Sequence, residues 1–290
     1  MKSTGRLALP PVVSILLAVF SVQVGATIAK GLFPVIGAAV SVAVRNGLSA
    51  IVLLAVFRPR LLRLTSPQWR AVVPYGVTIG VMNLLFYQAI ARIPLGLGVT
   101  LEFIGPLGVA IVGSRRALDV VWVMLAVAGV ALIAPWQTGS AIDPVGVLLA
   151  LMTGGCWAAY IVLGGRVSQL LTGGAAVAIG MFVATLTVLP FALASGGLAR
   201  FTPRLFIPGA ALALLSSAIP FTLEMNALRA LPGRTFSILM SLEPAVAAMC
   251  GLVFLSERLS AAQSLAVGLV IAASVGATAT ARTVPVHVEV

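Results

Sequence analysis

Ala89-Ile-Ala-Arg-Ile-Pro94 returns as Ala227-Leu-Arg-Ala-Leu-Pro232, 138 residues further on. At the same offset Pro106 falls on Pro244 and Gly113 on Gly251, and one residue off it Gly37-Ala-Ala-Val40 recurs as Gly174-Ala-Ala-Val177. Each match is short. Their common order and near-constant spacing point to duplication of one unit, with a first repeat over residues 1–138 and a second over 139–290.

The unit is built for lipid. The 290 residues are 60% hydrophobic and 9% charged, against roughly 25% charged in a soluble domain. So little charge cannot cover a water-facing surface, which makes the bilayer the solvent. Backbone groups in hydrocarbon need internal partners, which leaves helices or a closed barrel. Barrel strands alternate in polarity over segments of about ten residues, whereas these apolar runs are continuous and about twice that length. We place spans at Pro11–Ala29, Ile36–Phe57, Ala71–Ala91, Leu97–Gly113, Val120–Trp136, Pro144–Gly164, Gly173–Ala194, Leu205–Leu223, Thr235–Leu255 and Ala261–Thr280. Lys2 and Arg6 precede the first run as they would in a signal peptide, but many similar runs follow, so we read it as a span. The expected fold is an all-α membrane protein: ten transmembrane helices as two five-helix repeats. An odd number of spans per repeat inserts the copies in opposite orientations. Such inverted repeats recur in secondary transporters, with the site near the midplane between the halves.

The formal net charge of +11 would suggest nucleic acid in a soluble protein. Here the basic residues lie between apolar runs without interleaved aromatics, so nucleic acid is not an expected partner. They act instead as topology signals. With the N-terminus cytoplasmic, twelve Lys and Arg fall in inner connections, five in outer ones, and Arg45 lies inside a span. That bias puts both termini of a multi-pass membrane protein in the cytoplasm. Cys156 and Cys250 lie in apolar runs and His287 in the tail, so no metal-ligand cluster is expected. Gly96-Leu-Gly98 follows no strand and there is no Walker loop. No cofactor or ATP drive is expected, and no nucleophile–base pair suggests an enzyme. A homodimer is a possible assembly.

Charge inside a span costs roughly 2.5–3.5 kcal/mol on insertion scales, so the few cases are informative. Arg45 shares a helix face with Ser41 and Ser49, four residues to either side. It could anchor a substrate carboxylate, or be a structural Arg tied to helix carbonyls or an acid. Glu102 precedes Pro106 by four residues, so the proline breaks the helix beside the acid. Glu243 lies directly before Pro244 in the ninth span. Paired helix breaks at corresponding positions point to a central site. Either Glu could hold a substrate ammonium, carry a coupling proton, or bond freed backbone. Asn83 with Tyr87, and Ser237 with Ser241, share faces of the third and ninth spans as candidate cavity donors and acceptors, though such residues also serve as packing glue. Trp157 and Tyr160 are candidate walls. Glu224, on a face with Ser216 and Pro220, is a third proton-coupling candidate unless it pairs with Arg229.

These features resemble the drug/metabolite transporter superfamily of the EamA type, and within it the bacterial threonine/homoserine exporter group. The residues that carry the likeness are Ala29-Lys-Gly-Leu-Phe-Pro34, Pro94-Leu-Gly96, Leu101-Glu-Phe-Ile-Gly-Pro-Leu107, Ser114-Arg-Arg116, Gly155-Cys-Trp-Ala158, Leu223-Glu-Met225, Arg234-Thr-Phe236 and Met240-Ser-Leu-Glu-Pro-Ala245. Phe254-Leu-Ser-Glu-Arg-Leu259 is a common superfamily signature. The first copy departs from it with Ser114-Arg-Arg-Ala-Leu-Asp119, so any role of Glu257 exists in one half only. The resemblance implies export of small neutral amino acids such as threonine and homoserine, driven by proton exchange. Export of another small metabolite or a cationic drug is the alternative, and would use acids and aromatics without Arg45.

Overall fold

In the computed structural model, residues 10–111, 117–133, 142–171, 173–220, 223 and 239–280 are described. Every regular element among them is helical. Helix α1, Pro11–Phe57, has 47 residues and would run about 70 Å if straight, over twice the roughly 30 Å hydrocarbon core. It breaks at Gly37, whose φ of 79° and ψ of 163° are non-helical. That left-handed φ, not lack of room, is what a side chain there would violate. The chain doubles back at this point. Ser21 Oγ donates to Leu215 O at 2.8 Å and Ser49 Oγ donates to Ala213 O at 3.2 Å, so residues far apart along α1 lie at one depth. The connection expected between Ala29 and Ile36 is therefore not a loop. Helical structure runs through Lys30, and only Gly37 leaves it.

Helix α2, Ser66–Ile90, opens with a capping box in which Thr65 N–H donates to Gln68 Oε1 at 2.9 Å. Next come α3, Leu95–Glu102, and α4, Ile104–Ile111, split at Phe103 as the Glu102/Pro106 spacing predicts. Helix α5 is Ala117–Ile133. Helix α6, Pro144–Leu170, is capped by Asp143, which accepts Val145 N–H at 2.8 Å. Helix α7, Gly173–Ala194, leads through two short 3-10 turns to α8, Phe206–Ala213, which continues as a π-helical turn, Leu214–Ala218. Helices α9, Glu243–Leu255, and α10, Ala261–Thr280, complete the described chain. Among the described residues α1, α2, α6, α7 and α10 are long and apolar enough to cross a membrane, and shorter apolar helices fill the gaps between them. Large apolar side chains such as Ile51, Val56, Met124, Ile207 and Val253 point outward, as lipid-facing residues must.

Two opposite ends can be told apart by their contacts. At one end Ile36 O abuts Gly197, Arg92 Nη1 bonds Asp143 Oδ2 at 3.2 Å, and Lys30 pairs with Glu257. At the other, Phe57 packs on Gly174 and Gln68 Nε2 donates to Leu170 O at 3.0 Å. Between them, α4 and α6 touch backbone to backbone. A Cβ placed on Gly105 would lie 1.8 Å from Gly154 O, so only glycine allows this approach beside Glu102.

Candidate functional site

A cavity of about 230 Å³ lies among both arms of α1, α2, α3, α6, α7, the π turn and the start of α9. It extends toward the Phe57/Gly174 end: Leu53 and Val177, on its wall, stand one turn from those residues. At the opposite end Leu95, Leu97, Val99 and Leu101 are fully buried. The cavity therefore lies toward one end of the molecule, and the other end is packed.

Arg45 stands on the wall with Ser41 and Ser49 on its helix face, both wholly buried. Its guanidinium donates to Tyr87 Oη at 3.3 Å, to Ser216 O at 3.0 Å and, more weakly, to Ser217 Oγ at 3.5 Å, and it stacks 5.5 Å from the Tyr87 ring centre. It is thus tied to a helix carbonyl and also faces the cavity. A guanidinium has five N–H groups, so three contacts leave two for a ligand. The π turn explains the bond to Ser216 O, since a π-helical turn disturbs the regular carbonyl ladder and Ser21, Arg45 and Ser49 all donate to carbonyls in or beside it.

Glu102 and Glu243 face the same cavity, 9% and 7% exposed, and Glu102 lies within electrostatic range of both Glu243 and Arg45. The chain break at Phe103 ends α3 on Glu102, and a turn at Ser241–Leu242 makes Glu243 the first residue of α9, where the positive helix terminus favours an anion. Gln23 Nε2 donates to Glu243 Oε1 at 3.1 Å across the chain. Asn83 lines the cavity and donates to Asn46 Oδ1 at 3.1 Å. Trp157 and Tyr160 form aromatic walls, held by an edge-on contact of Trp157 with Phe103 at 5.0 Å and a stack of Tyr160 on Tyr75 at 5.2 Å.

Two predicted site residues sit elsewhere. Tyr87 is fully buried and positions Arg45 from behind. Ser241 is turned away, its Oγ 2.7 Å from Ser274 Oγ on α10. Ser237 and Glu224 lie outside the described residues. Sequence reasoning passed over Gln23, Asn46, Ser217 and Tyr75. An amide in an apolar span was the available signal for Gln23. It also passed over the pairing of Lys30 with Glu257. Lys30 Nζ donates to Glu257 Oε1 and to Ile93 O at 3.0 Å, and Glu257 Oε2 accepts Leu95 N–H at 2.8 Å. This cluster closes the packed end.

The model of the EamA-like transporter family matches residues 144–279. The threonine/homoserine exporter RhtA of Escherichia coli (strain K12) is 46% identical over 273 residues, covering 94% of this chain and 92% of the relative. The chain belongs to the EamA-like transporter family. The RhtA exporter of Salmonella typhimurium (strain SL1344) is 44% identical over 276 residues, with 95% and 93% coverage. A solved crystal structure aligns with a TM-score of 0.60 at 18% identity over 93% of this chain and 98% of its own, a likeness of fold alone. The chain is thus a membrane transporter and not an enzyme.

Proposed function

We propose that this chain exports threonine, homoserine and similar small neutral amino acids across the bacterial inner membrane in exchange for protons. The observation that carries the reading is the placing of Arg45 and two carboxylates, Glu102 and Glu243, on one small cavity. An amino-acid zwitterion offers a carboxylate for the two remaining guanidinium N–H groups and an ammonium for a carboxylate. The substrate class of the RhtA relatives supports it. A proton and an ammonium both neutralise a buried carboxylate, and on one carboxylate they exclude each other. That competition is a minimal device for exchange.

We read the scaffold as ten spans in two inverted repeats, residues 1–138 and 139–290, with both termini cytoplasmic. The two arms of α1 count as separate spans, as does α3 with α4. The most extensive contacts support the repeat because they map onto themselves when each span is exchanged with the one five places away. Asn83-bearing α2 packs on α6 as the α8 span packs on the first arm of α1, and α4 against α6 is matched by α9 against the first arm. The second arm with α7, α3 with α9 and α5 with α10 are pairs that map onto themselves. The family match over residues 144–279 has the length of one such repeat. The sides assigned from charge agree with the ends seen in contacts, with Lys30, Arg92 and Glu257 together. On this assignment the end toward which the cavity extends is cytoplasmic.

The test is Arg45→Gln. Threonine counterflow in proteoliposomes should be lost while the protein still inserts; undiminished counterflow would sink the assignment. A pH gradient should drive threonine movement in the parent protein, and indifference to the gradient would remove proton exchange.

A further inference from the structure

Two residues of the cavity wall each carry a buried polar atom with no hydrogen-bond partner among the described residues: Gln23 Oε1 and Ser216 Oγ. Gln23 is 1% exposed and Ser216 5%. A buried polar atom left unpaired is costly and usually has a partner in the working state. The local structure explains why neither finds one internally. Gln23 spends its N–H on Glu243, which turns its carbonyl oxygen away from that carboxylate. Hydroxyls in these helices regularly bond the carbonyl four residues back, as Ser41, Thr100 and Thr153 do with Gly37, Gly96 and Leu149. Ser216 sits in the π turn, where that relation is broken, and its hydroxyl lies in the space left by Gly25, where a Cβ would come within 2.1 Å of it.

Arg45 and the two carboxylates already answer to the charged ends of a zwitterion. One acceptor and one hydroxyl remain, and they suit a group that both donates and accepts. We propose that Gln23 and Ser216 are specificity-determining residues that recognise the side-chain hydroxyl of the substrate, Gln23 Oε1 by accepting from it and Ser216 Oγ by donating to it. This rests on the amino-acid reading above and assigns to it the feature that threonine and homoserine share. A site built to bond a hydroxyl discriminates strongly against the analogue without one, because its own buried groups are then left unpaired.

One compound tests this, since 2-aminobutyrate is the deoxy form of both threonine and homoserine. Counterflow in proteoliposomes is measured for threonine, homoserine and 2-aminobutyrate at equal sub-saturating concentrations, with the parent protein, Ser216→Ala and Gln23→Met. The parent should favour each hydroxy acid over 2-aminobutyrate by at least about tenfold, the worth of one hydrogen bond. Each substitution should lower that ratio by about tenfold. A parent ratio near one, or a ratio unchanged in both variants, overturns the assignment of the hydroxyl site. Movement of none of the three amino acids by the parent would instead overturn the amino-acid reading itself.

Discussion

Lys30→Met removes the ammonium from the packed end of the molecule, and its cost can be worked from the contacts. Glu257 would lose its cation yet still sit against Leu95 N–H, and Ile93 O would lose a donor. Exposed ion pairs are worth roughly 0.2–1 kcal/mol, and breaking a buried one costs about 3–5 kcal/mol. The two side chains are 17% and 16% exposed, which places the loss between those limits, at about 2 kcal/mol, or roughly thirtyfold in an equilibrium. Cys250 reports on it. The thiol is 1% exposed, and its neighbour Gly251 accepts Glu257 N–H at 3.0 Å. In a Cys156→Ala background, alkylation of Cys250 by a small maleimide should be slow in the parent and rise by on the order of tenfold or more in Lys30→Met and Glu257→Gln. The exchanged pair Lys30→Glu with Glu257→Lys should recover part of the protection. Equal alkylation rates in all four proteins would refute the idea that this ion pair closes the packed end.

Three further outcomes follow from single contacts. Gly105→Ala should abolish threonine counterflow and lower the thermal midpoint in detergent, because its methyl would meet Gly154 backbone beside Glu102, whereas Gly108→Ala, with open space around it, should leave both near parent values; equal effects would contradict the close approach. Asn83→Leu should lower threonine counterflow by about tenfold, since it removes a cavity amide and strands Asn46 Oδ1; unchanged transport would assign Asn83 to packing. The Asp143 carboxyl is held below its ordinary range, chiefly by the Val145 N–H and then by Arg92. Its contribution is therefore complete above the unfolded value of about 3.9 and is lost as pH falls through the folded one, so the midpoint gap between the parent and Asp143→Ala should be present at about pH 7 and shrink progressively as pH is lowered below that unfolded value. A gap that did not change with pH would point to helix capping without charge.

Much of this was legible because lipid is a severe solvent. Continuous apolar runs located the helices, and the expense of charge in hydrocarbon singled out Arg45, Glu102 and Glu243, which the fold brings to one cavity. The break after Glu102 followed from Pro106 alone. Other features depended on partners that no local pattern reveals. Gln23 matters through Glu243, some 220 positions away, and Lys30, counted as a topology signal, is spent on Glu257. Ser241 has the spacing of a cavity residue, but the packing of α10 gives it Ser274 instead. Hydropathy likewise saw two spans in α1 without seeing that one glycine makes the turn.

The proposed duplication and the proposed site obey opposite demands. At the 138-residue offset Glu102 corresponds to Met240 and Glu243 to Gly105, and at the 137-residue offset of the Gly-Ala-Ala-Val match Arg45 corresponds to Phe182. None of the three charges has a charged counterpart. A cavity on a true two-fold axis would present the same groups to both ends of its occupant, which suits a symmetric ligand and not one with a carboxylate at one end and an ammonium at the other. On the proposed reading, divergence of the two copies at these positions breaks the symmetry of the proposed site. Meanwhile the uncharged match of Pro106 with Pro244 goes with a helix break just before it in both proposed halves, at Phe103 and at Ser241–Leu242. The counterpart of Glu243 is the glycine that lets α4 touch α6. In the proposed pairing, the position that supplies a carboxylate in one repeat thus supplies, in the other, the close packing beside Glu102.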